Sequence, residues 1–242
     1  MDPQLTPKKI LIVAPNWVGD SIFMLPALSA LKRRFSEASF TLLARSGIVA
    51  LHRASPVFDD FVALDSWGSL ARFKTCWGLR PRGFDLCVVF PNSFSWGLAA
   101  FLSGAKHRLG RGGQARGFLF DLKDLPLADR KRPVWDEYLD LARLAGAEAL
   151  PTDKEPLLAL SPASIEEKDR LFREAGLEPG APRVALCPTS AYGPSKVWPL
   201  EKFSALAREL KSRGYRPYVL CAPAELPLVE ALGRGPEGLK IL

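Results

Sequence analysis

The sequence predicts an α/β protein built on parallel sheets, and two observations support this prediction. Short apolar runs of the kind found in buried strands alternate along the chain with segments whose apolar residues recur at helical spacing. Strands that are apolar throughout belong to parallel sheets that helices cover on both faces. The alternation stops near residue 150, at a stretch rich in proline and turn residues, and then restarts. This interruption predicts two lobes joined by a linker.

The first lobe is predicted to occupy residues 1–150. Its apolar runs predict four strands, at residues 10–14, 40–44, 58–64 and 84–90. Helical spacing predicts helices at residues 21–35, 66–80 and 133–144, and a small-residue helix in SWGLAAFLSGA after the fourth strand. The segment HRLGRGGQARGFLFD holds four glycines and three arginines, and we expect it to form a long basic loop.

The second lobe is predicted at residues 181–242, after a linker and helix at residues 151–180. The helix of the linker region is expected at residues 162–175. The predicted strands and helices that follow lie at residues 183–188, 199–213, 215–222 and 224–233, before an apolar tail that begins a third strand. A lobe of five or six strands needs roughly 120 to 150 residues, and far fewer follow the linker. We therefore expect an incomplete second lobe and a chain truncated at its C-terminus.

The composition restricts the partners and the compartment. The formal net charge is +7 and the isoelectric point is near 9.4, which favours phosphate-bearing substrates, nucleic acid or an anionic membrane surface. Nucleic acid is not expected, because the basic residues follow no recognition-helix or aromatic-sheet pattern. The four cysteines lack paired spacing and three lie in apolar strand-like runs, which predicts buried, reduced thiols. With no signal peptide, membrane-spanning run or metal-ligand pattern, we expect a cytoplasmic protein without a metal.

The loop PNWVGD follows the first predicted strand and leads into the first helix. Ligands of open α/β sheets bind at the C-terminal ends of strands, and strand-to-helix loops usually hold anions on backbone N–H groups. This loop carries an acid, Asp20, instead. One interpretation is that Asp20 caps the helix, which aspartate does well. The other is that Asp20 is a general base that takes a proton from a sugar hydroxyl as that oxygen attacks an anomeric carbon.

The loop PTSAYGPSKVWP follows the first strand of the second lobe. Its hydroxyls, its glycine and its lysine precede a predicted helix, and this combination suits a diphosphate. The residues concerned are Thr189, Ser190, Tyr192, Gly193 and Lys196. The alternative interpretation is a polar loop with a surface lysine. The loop is not a Walker A sequence, and PNWVGD lacks the three glycines of a dinucleotide fingerprint.

Three blocks of the sequence resemble one enzyme family over nearly the whole chain. The blocks are KILIVAPNWVGDSIFMLPALSALKRRF, VVFPNSFSWGLAAFLSGAKHRLGRGG and LCPTSAYGPSKVWPLEKFSALARELKSRGY, and the pairing of WVGD with GPSKVWP is specific. They resemble the ADP-heptose:lipopolysaccharide heptosyltransferases of glycosyltransferase family 9, most closely those of the heptosyltransferase II type. The resemblance implies a GT-B-like fold of two Rossmann-like lobes, here with the second lobe incomplete.

The resemblance also implies a reaction and the residues that serve it. It implies an inverting, metal-independent transferase, without a cofactor, that moves heptose from ADP-heptose to the inner core of lipopolysaccharide. Asp20 matches the catalytic base of the family, and Thr189, Ser190 and Lys196 match its donor-binding loop. The acceptor-binding residues are expected at Asn16, Trp17, Asn92, Arg108, Arg111 and Arg116. The arginines suit an acceptor that carries acidic sugars and phosphates.

Two features leave alternatives open. The chain lacks the later D-[ST]-G-x-x-H segment with which family members hold the nucleotide, so an inactive fragment that binds nucleotide or glycan is one alternative. The motifs do not separate sugar donors, so a related transferase with a different donor is the other. For a heptosyltransferase we expect a cytoplasmic location, peripheral contact with the inner-membrane surface, and Asp20 opposite the loop that holds Lys196.

Overall fold

The structure of the protein is a computed structural model, which describes residues 5–65, 68–113, 115–124, 132–150, 158–177, 180, 182–190, 194–235 and 238–242. The chain divides into two compact units, Met1–Leu160 and Ser161–Leu242. Each unit holds its own parallel β-sheet with helices packed against it. The α/β class predicted from the sequence is therefore confirmed.

The described part of the first unit contains six strands and six helices. The strands are β1 (Lys9–Val13), β2 (Ser39–Arg45), β3 (Asp60–Leu64), β4 (Leu86–Val89), β5 (His107–Arg111) and β6 (Leu122–Asp124). The helices are α1 (Val18–Phe23), α2 (Leu25–Arg34), α3 (Ser46–His52), α4 (Ser69–Gly78), α5 (Phe94–Leu102) and α6 (Val134–Leu144). The strands are all parallel, in the order β3-β2-β1-β4-β5-β6. This is the Rossmann order, which reverses between β1 and β4, where ligands of such sheets bind.

The central strand β1 shows why this sheet is buried on both faces. Ile10 and Ile12 belong to one apolar cluster, which includes side chains of α2 and α6, and Leu11 and Val13 belong to another. All four side chains are 0% exposed. Successive side chains of a strand point to opposite faces of the sheet, and each fully buried aliphatic side chain contributes about 2 kcal/mol. This packing fixes β1 and, with it, the loop that leaves its C-terminal end.

The first predicted helix is two helices. The chain starts α1 at Val18 and interrupts the helix at Met24 before α2 begins. Pro26 explains the interruption, because proline has no N–H to donate to the carbonyl four residues back and its ring clashes with that carbonyl. In α2 Pro26 occupies the first turn, where proline is tolerated.

The predicted basic loop begins with a strand. Residues His107–Arg111 form β5, which pairs with β4 and β6, so the loop prediction is wrong there. Gly110 suggested a loop, but its role is to allow close packing, since a β-carbon at this position would lie 2.4 Å from the Phe120 ring. Glycine within a strand often marks such an approach. The structure also adds α3 and β6 to the predicted elements.

The described part of the second unit contains three parallel strands, in the order β7-β8-β9, and three helices. These are α7 (Pro162–Glu174), β7 (Arg183–Leu186), α8 (Leu200–Ser212), β8 (Arg216–Val219), α9 (Leu226–Arg234) and β9 (Lys240–Ile241). The strands and helices predicted for this region are confirmed, and the apolar tail is the third strand. Residues 151–157 of the predicted linker lie outside the described residues.

All four cysteines are free. Cys76 and Cys87 are buried, whereas Cys187 is exposed and Cys221 is half-buried. The predicted burial is therefore wrong for the last two, because they follow the ends of β7 and β8 and do not lie within these strands. Within the described part of the chain, no helix combines the length and the apolar character needed to cross a bilayer.

Candidate active site

Loops at the C-terminal edge of the first sheet enclose a cleft of about 340 Å³. They follow β1 and β4, on the two sides of the point where the strand order reverses, and Arg111 at the end of β5 adjoins them. Five of the residues predicted from the sequence line this cleft: Asn16, Trp17, Asp20, Asn92 and Arg111. Helix α6 completes the wall with Val134, Glu137 and Tyr138. Ligands of open α/β sheets bind at this kind of position.

Asp20 lies in the first turn of α1 and is not its cap. The N-cap residue is Trp17, and no side chain makes a capping hydrogen bond. The capping interpretation is therefore wrong, although an acid in the first turn still interacts favourably with the helix dipole. The Asp20 carboxylate is half-buried and makes no hydrogen bond or ion pair with any residue that the structure describes.

The electrostatic environment of Asp20 suits proton transfer. Burial raises the pKa of Asp20 above its ordinary value, because desolvation disfavours the charged carboxylate. The pKa of the neighbouring Tyr138 hydroxyl is also raised, mainly by burial and further by the negative charge of Asp20. A general base is most effective when its pKa approaches the working pH. An unpaired carboxylate with a raised pKa in a cleft is thus a candidate for that role.

Arg111 places a positive charge on the wall of the same cleft. It is the last residue of β5 and is only 7% exposed. Its Nη1 pairs with the Glu137 carboxylate of α6 at 2.6 Å. Its Nε and Nη2 have no hydrogen-bond partner among the described residues. The backbone carbonyl of Arg111 accepts a hydrogen bond from Nε of Arg116 at 2.7 Å.

The other two predicted acceptor-binding arginines make intramolecular bonds beside the cleft. Three nitrogens of Arg108 donate to two backbone carbonyls and to the Asp121 carboxylate, at 2.8 to 2.9 Å. Arg116 is buried and bonds to the end of β5. Neither side chain lines the cleft that holds Asp20. Both brace the segment between β5 and β6, and their role in acceptor binding stays a prediction.

A second cavity of about 390 Å³ adjoins the loop that follows β1. Asn16 and Trp17 line both cavities, and residues at and just after the C-terminal ends of β2 and β3 complete the second one. Among these are Arg45, Ser46 and Asp65, and the Ser46 hydroxyl donates a hydrogen bond to the Asp65 carboxylate. Trp17 is 45% exposed, so its indole is accessible to a ligand.

The predicted donor loop belongs to the second unit and follows β7. Thr189 and Ser190 come just after the strand and are half-buried. Lys196 is exposed and ends a single 3-10 turn ahead of α8. Tyr192 and Gly193, which the diphosphate prediction also includes, lie outside the described residues. The described part of the loop thus follows the C-terminal end of a strand, where ligands of parallel sheets bind.

Comparison with known proteins identifies the family. A family model described as glycosyltransferase family 9 (heptosyltransferase) matches residues 72–240, which is more than half of the chain. The chain belongs to glycosyltransferase family 9. The predicted family is confirmed.

Relatives of this family 9 chain include two curated bacterial proteins. Lipopolysaccharide heptosyltransferase 2 of Escherichia coli K12 is 30% identical over 221 residues, which cover 86% of this chain and 62% of that protein. Lipooligosaccharide heptosyltransferase 2 of Haemophilus influenzae is 26% identical over 242 residues, which cover 96% of this chain and 69% of that protein. The family 9 chain therefore spans 62% of the length of the E. coli relative.

Solved structures share the fold of the family 9 chain. The structure of E. coli ADP-heptose lps heptosyltransferase II matches with a TM-score of 0.79 at 24% identity, covering 97% of this chain and 72% of that one. The glycosyl transferase family 9 structure from Veillonella parvula DSM 2008 matches with a TM-score of 0.83 at 17% identity. The match covers 98% of this chain and 69% of that one. The GT-B-like fold class predicted from the sequence is confirmed.

Two cleft residues of the family 9 chain, Glu137 and Tyr138, are absent from the predicted site. They lie three and four residues after Val134, the first residue of α6, so the three side chains share one helix face. This spacing was available in the sequence. It did not indicate which sheet edge the face would meet, because that depends on the packing of α6 against β5 and β6.

Proposed function

We propose that the protein is an inverting glycosyltransferase that moves heptose from ADP-heptose to the inner core of lipopolysaccharide, with Asp20 as the general base. The observation that supports this most is the unpaired carboxylate of Asp20, with a raised pKa, in a cleft of a family 9 chain. The E. coli relative is a protein named lipopolysaccharide heptosyltransferase 2. That name supports the choice of donor and acceptor.

The proposed reaction is a single displacement at the anomeric carbon of the heptose. Asp20 removes the proton of the acceptor hydroxyl as the oxygen of that hydroxyl attacks the anomeric carbon. The bond from this carbon to the diphosphate oxygen breaks, and its electron pair leaves with ADP. Attack on the face opposite the leaving group inverts the configuration. Asp20 then releases the proton to solvent.

The acceptor is proposed to bind in the cleft of the first unit. The half-exposed indole of Trp17 offers an apolar face for a sugar ring, as aromatic side chains do in small-molecule sites. The amides of Asn16 and Asn92 line the cleft and supply donors and acceptors for hydroxyls. Arg111 adds a positive charge to its wall.

The donor is proposed to bind at the loop after β7. The ammonium of Lys196 and the hydroxyls of Thr189 and Ser190 are the groups that stabilise a diphosphate as it gains negative charge. The net charge of +7 also favours approach to an anionic surface. We therefore propose a cytoplasmic enzyme that contacts the surface of the inner membrane, where a lipid-linked acceptor lies.

Calorimetry of ADP-heptose binding tests the donor site. Lys196→Ala should raise the Kd ten-fold or more, because a charge-assisted hydrogen bond is worth roughly 1.5–3 kcal/mol. Lys202→Ala is the matched control, since Lys202 is also exposed and lies on the neighbouring helix α8. A Kd for Lys196→Ala equal to that of the control would contradict the donor assignment.

A transfer assay tests the reaction itself. The protein, extended to the length of its relatives, is incubated with a core oligosaccharide and with ADP-heptose or another nucleotide sugar, and the product is identified by mass spectrometry. We expect heptose addition from ADP-heptose. Transfer only from another donor would make the protein a related transferase. Binding of ADP-heptose without transfer would make it a nucleotide-binding protein.

A further inference from the structure

Helix α1, which carries Asp20, is too short to hold its own position. It has six residues, all of which the structure describes, and of these only Ser21 is buried. Within the described residues no side chain caps its first turn, and isolated helices of this length are not stable in water. The direction of the Asp20 carboxylate therefore depends on what holds α1 against the rest of the first unit. Ser21, the next residue along the chain, makes such a contact.

A buried chain of hydrogen bonds joins α1 to α3. The Ser21 hydroxyl donates to the Val18 carbonyl at 2.8 Å, and Nε2 of His52 lies 3.2 Å from the same hydroxyl oxygen. Because the hydroxyl has a single proton, it accepts the Nε2–H of His52. Both side chains are 0% exposed, and a hydrogen bond shielded from water is stronger than one at the surface. Ser21 is thus held both by the first turn of its own helix and by the last residue of α3.

The position of His52 is fixed by packing on the first sheet. Ile48 and Val49 of the same helix are buried in the apolar cluster on one face of that sheet. The His52 ring packs edge-on against the Phe58 ring, with 6.0 Å between centroids, and Phe58 packs in the same way against Phe61 of β3. Aromatic rings prefer this edge-to-face arrangement. The imidazole N–H therefore reaches α1 from a rigid part of the unit.

We infer that His52 is a positioning residue for the proposed general base, because through the Ser21 hydroxyl it holds the first turn of α1 so that the Asp20 carboxylate faces the cleft. His52 is not among the residues that line the cleft, so it acts through the helix and not on the ligand. A reacting group displaced by about 1 Å can cost about 10²-fold in rate. The inference rests on the proposed function for the role of Asp20, but the link between His52 and α1 is testable without turnover.

Carbon-13 NMR titration of the aspartate carboxyl groups in the 242-residue chain tests the link. His52→Leu and His52→Gln both remove the titrating imidazole, but only glutamine keeps an N–H that reaches Ser21, so the comparison between them isolates the hydrogen bond. Burial raises the pKa of Asp20, and a loosened first turn admits water to the carboxylate. We therefore expect the pKa of Asp20 to fall towards its ordinary value in His52→Leu and to stay raised in His52→Gln.

Turnover of the protein extended to the length of its relatives measures the consequence for the reaction. In His52→Leu the kcat for heptose transfer should fall about ten-fold or more, with an unchanged Kd for ADP-heptose. In His52→Gln it should stay within a few-fold of the parent value. Val49→Ala is the matched control, because it removes buried methyl groups from the same helix and leaves the bond between His52 and Ser21 in place. It should lower the Tm and leave kcat and the pKa of Asp20 nearly unchanged.

An Asp20 pKa that is equal in His52→Leu and His52→Gln would overturn the inference. So would an equal loss of kcat in His52→Leu and Val49→Ala, since general destabilisation would then explain both. If His52→Leu does not fold, Ser21→Ala decides, because it removes the same link from the side of α1, and an Asp20 pKa equal to that of the parent protein would overturn the inference. Absence of heptose transfer in the parent, together with an Asp20 pKa that depends on the His52 N–H, would refute the proposed function and leave this link in place.

Discussion

Acidification from pH 7 to pH 5 should destabilise the first unit through one side chain, His52. This residue ends α3 and has no exposed surface. Its Nε2 lies 3.2 Å from the Ser21 hydroxyl, and that hydroxyl donates to the Val18 carbonyl at 2.8 Å. The hydroxyl must therefore accept from Nε2–H, which leaves Nδ1 without a proton. Among the described residues Nδ1 has no partner, so protonation would bury an unpaired charge.

The magnitude follows from the difference in proton affinity between the folded and unfolded states. Burial lowers the pKa of His52 from 6.5 to about 4, so the unfolded state binds more protons throughout that interval. The contribution of neutral His52 to the free energy of unfolding is therefore fully present above pH 6.5 and is lost as the pH falls towards 4. The whole difference corresponds to about 3 kcal/mol. About 2 kcal/mol of it should be lost between pH 7 and pH 5.

Urea unfolding followed by tryptophan fluorescence measures this loss, because five of the six tryptophans lie in the first unit. The matched variant is His52→Gln, whose amide nitrogen keeps a donor for Ser21 but does not titrate. Between pH 7 and pH 5 the free energy of unfolding should fall by about 2 kcal/mol more in the parent protein than in this variant. Equal losses in the two proteins would show that the pH dependence comes from other groups and that His52 is not its source.

Two further predictions concern packing and burial. Gly110→Ala would place a β-carbon 2.4 Å from the Phe120 ring and should destabilise the first unit by about 1–3 kcal/mol in urea unfolding. Gly78→Ala in α4, whose β-carbon would meet nothing within 4 Å, should stabilise the unit by about 0.5–1 kcal/mol, and equal effects would contradict the packing argument. A thiol reagent should modify Cys187 first in the native chain and Cys221 more slowly, because burial raises the pKa of the latter. The two cysteines of the first unit should react only after unfolding, and absorbance that counts four reactive thiols in the native chain would contradict this.

The sequence predicted β1 and β4 from their unbroken apolar runs. Strands β1 and β4 are buried along their apolar residues, and an unbroken apolar run is typical of the sequence of a parallel strand. Strand β5 was missed because its local composition is that of a loop. Its strand conformation depends on pairing with β4 and on the Phe120 ring that Gly110 admits. Those are tertiary contacts, and local propensity does not report them.

The residues of the candidate site were also predictable only in part. Asn16, Trp17 and Asp20 were predictable because a loop after a buried strand must reach the C-terminal edge of the sheet. Glu137 and the paired state of Arg111 were not, because they depend on where α6 meets the sheet. The first helix was predicted to start at residue 21, but α1 starts at Val18, so Asp20 lies in its first turn and not at its cap.

Turnover of Asp20→Asn decides whether Asp20 acts as a general base. The measurement is kcat for heptose transfer to a core oligosaccharide by the protein extended to the length of its relatives, with thermal melts and ADP-heptose affinity measured in parallel. Asparagine keeps the size of the side chain but does not accept the proton, and a general base typically contributes about 10²–10⁴-fold. We expect a loss of kcat of about a hundred-fold or more, with nearly unchanged Tm and donor Kd. A kcat within a few-fold of the parent value would contradict it.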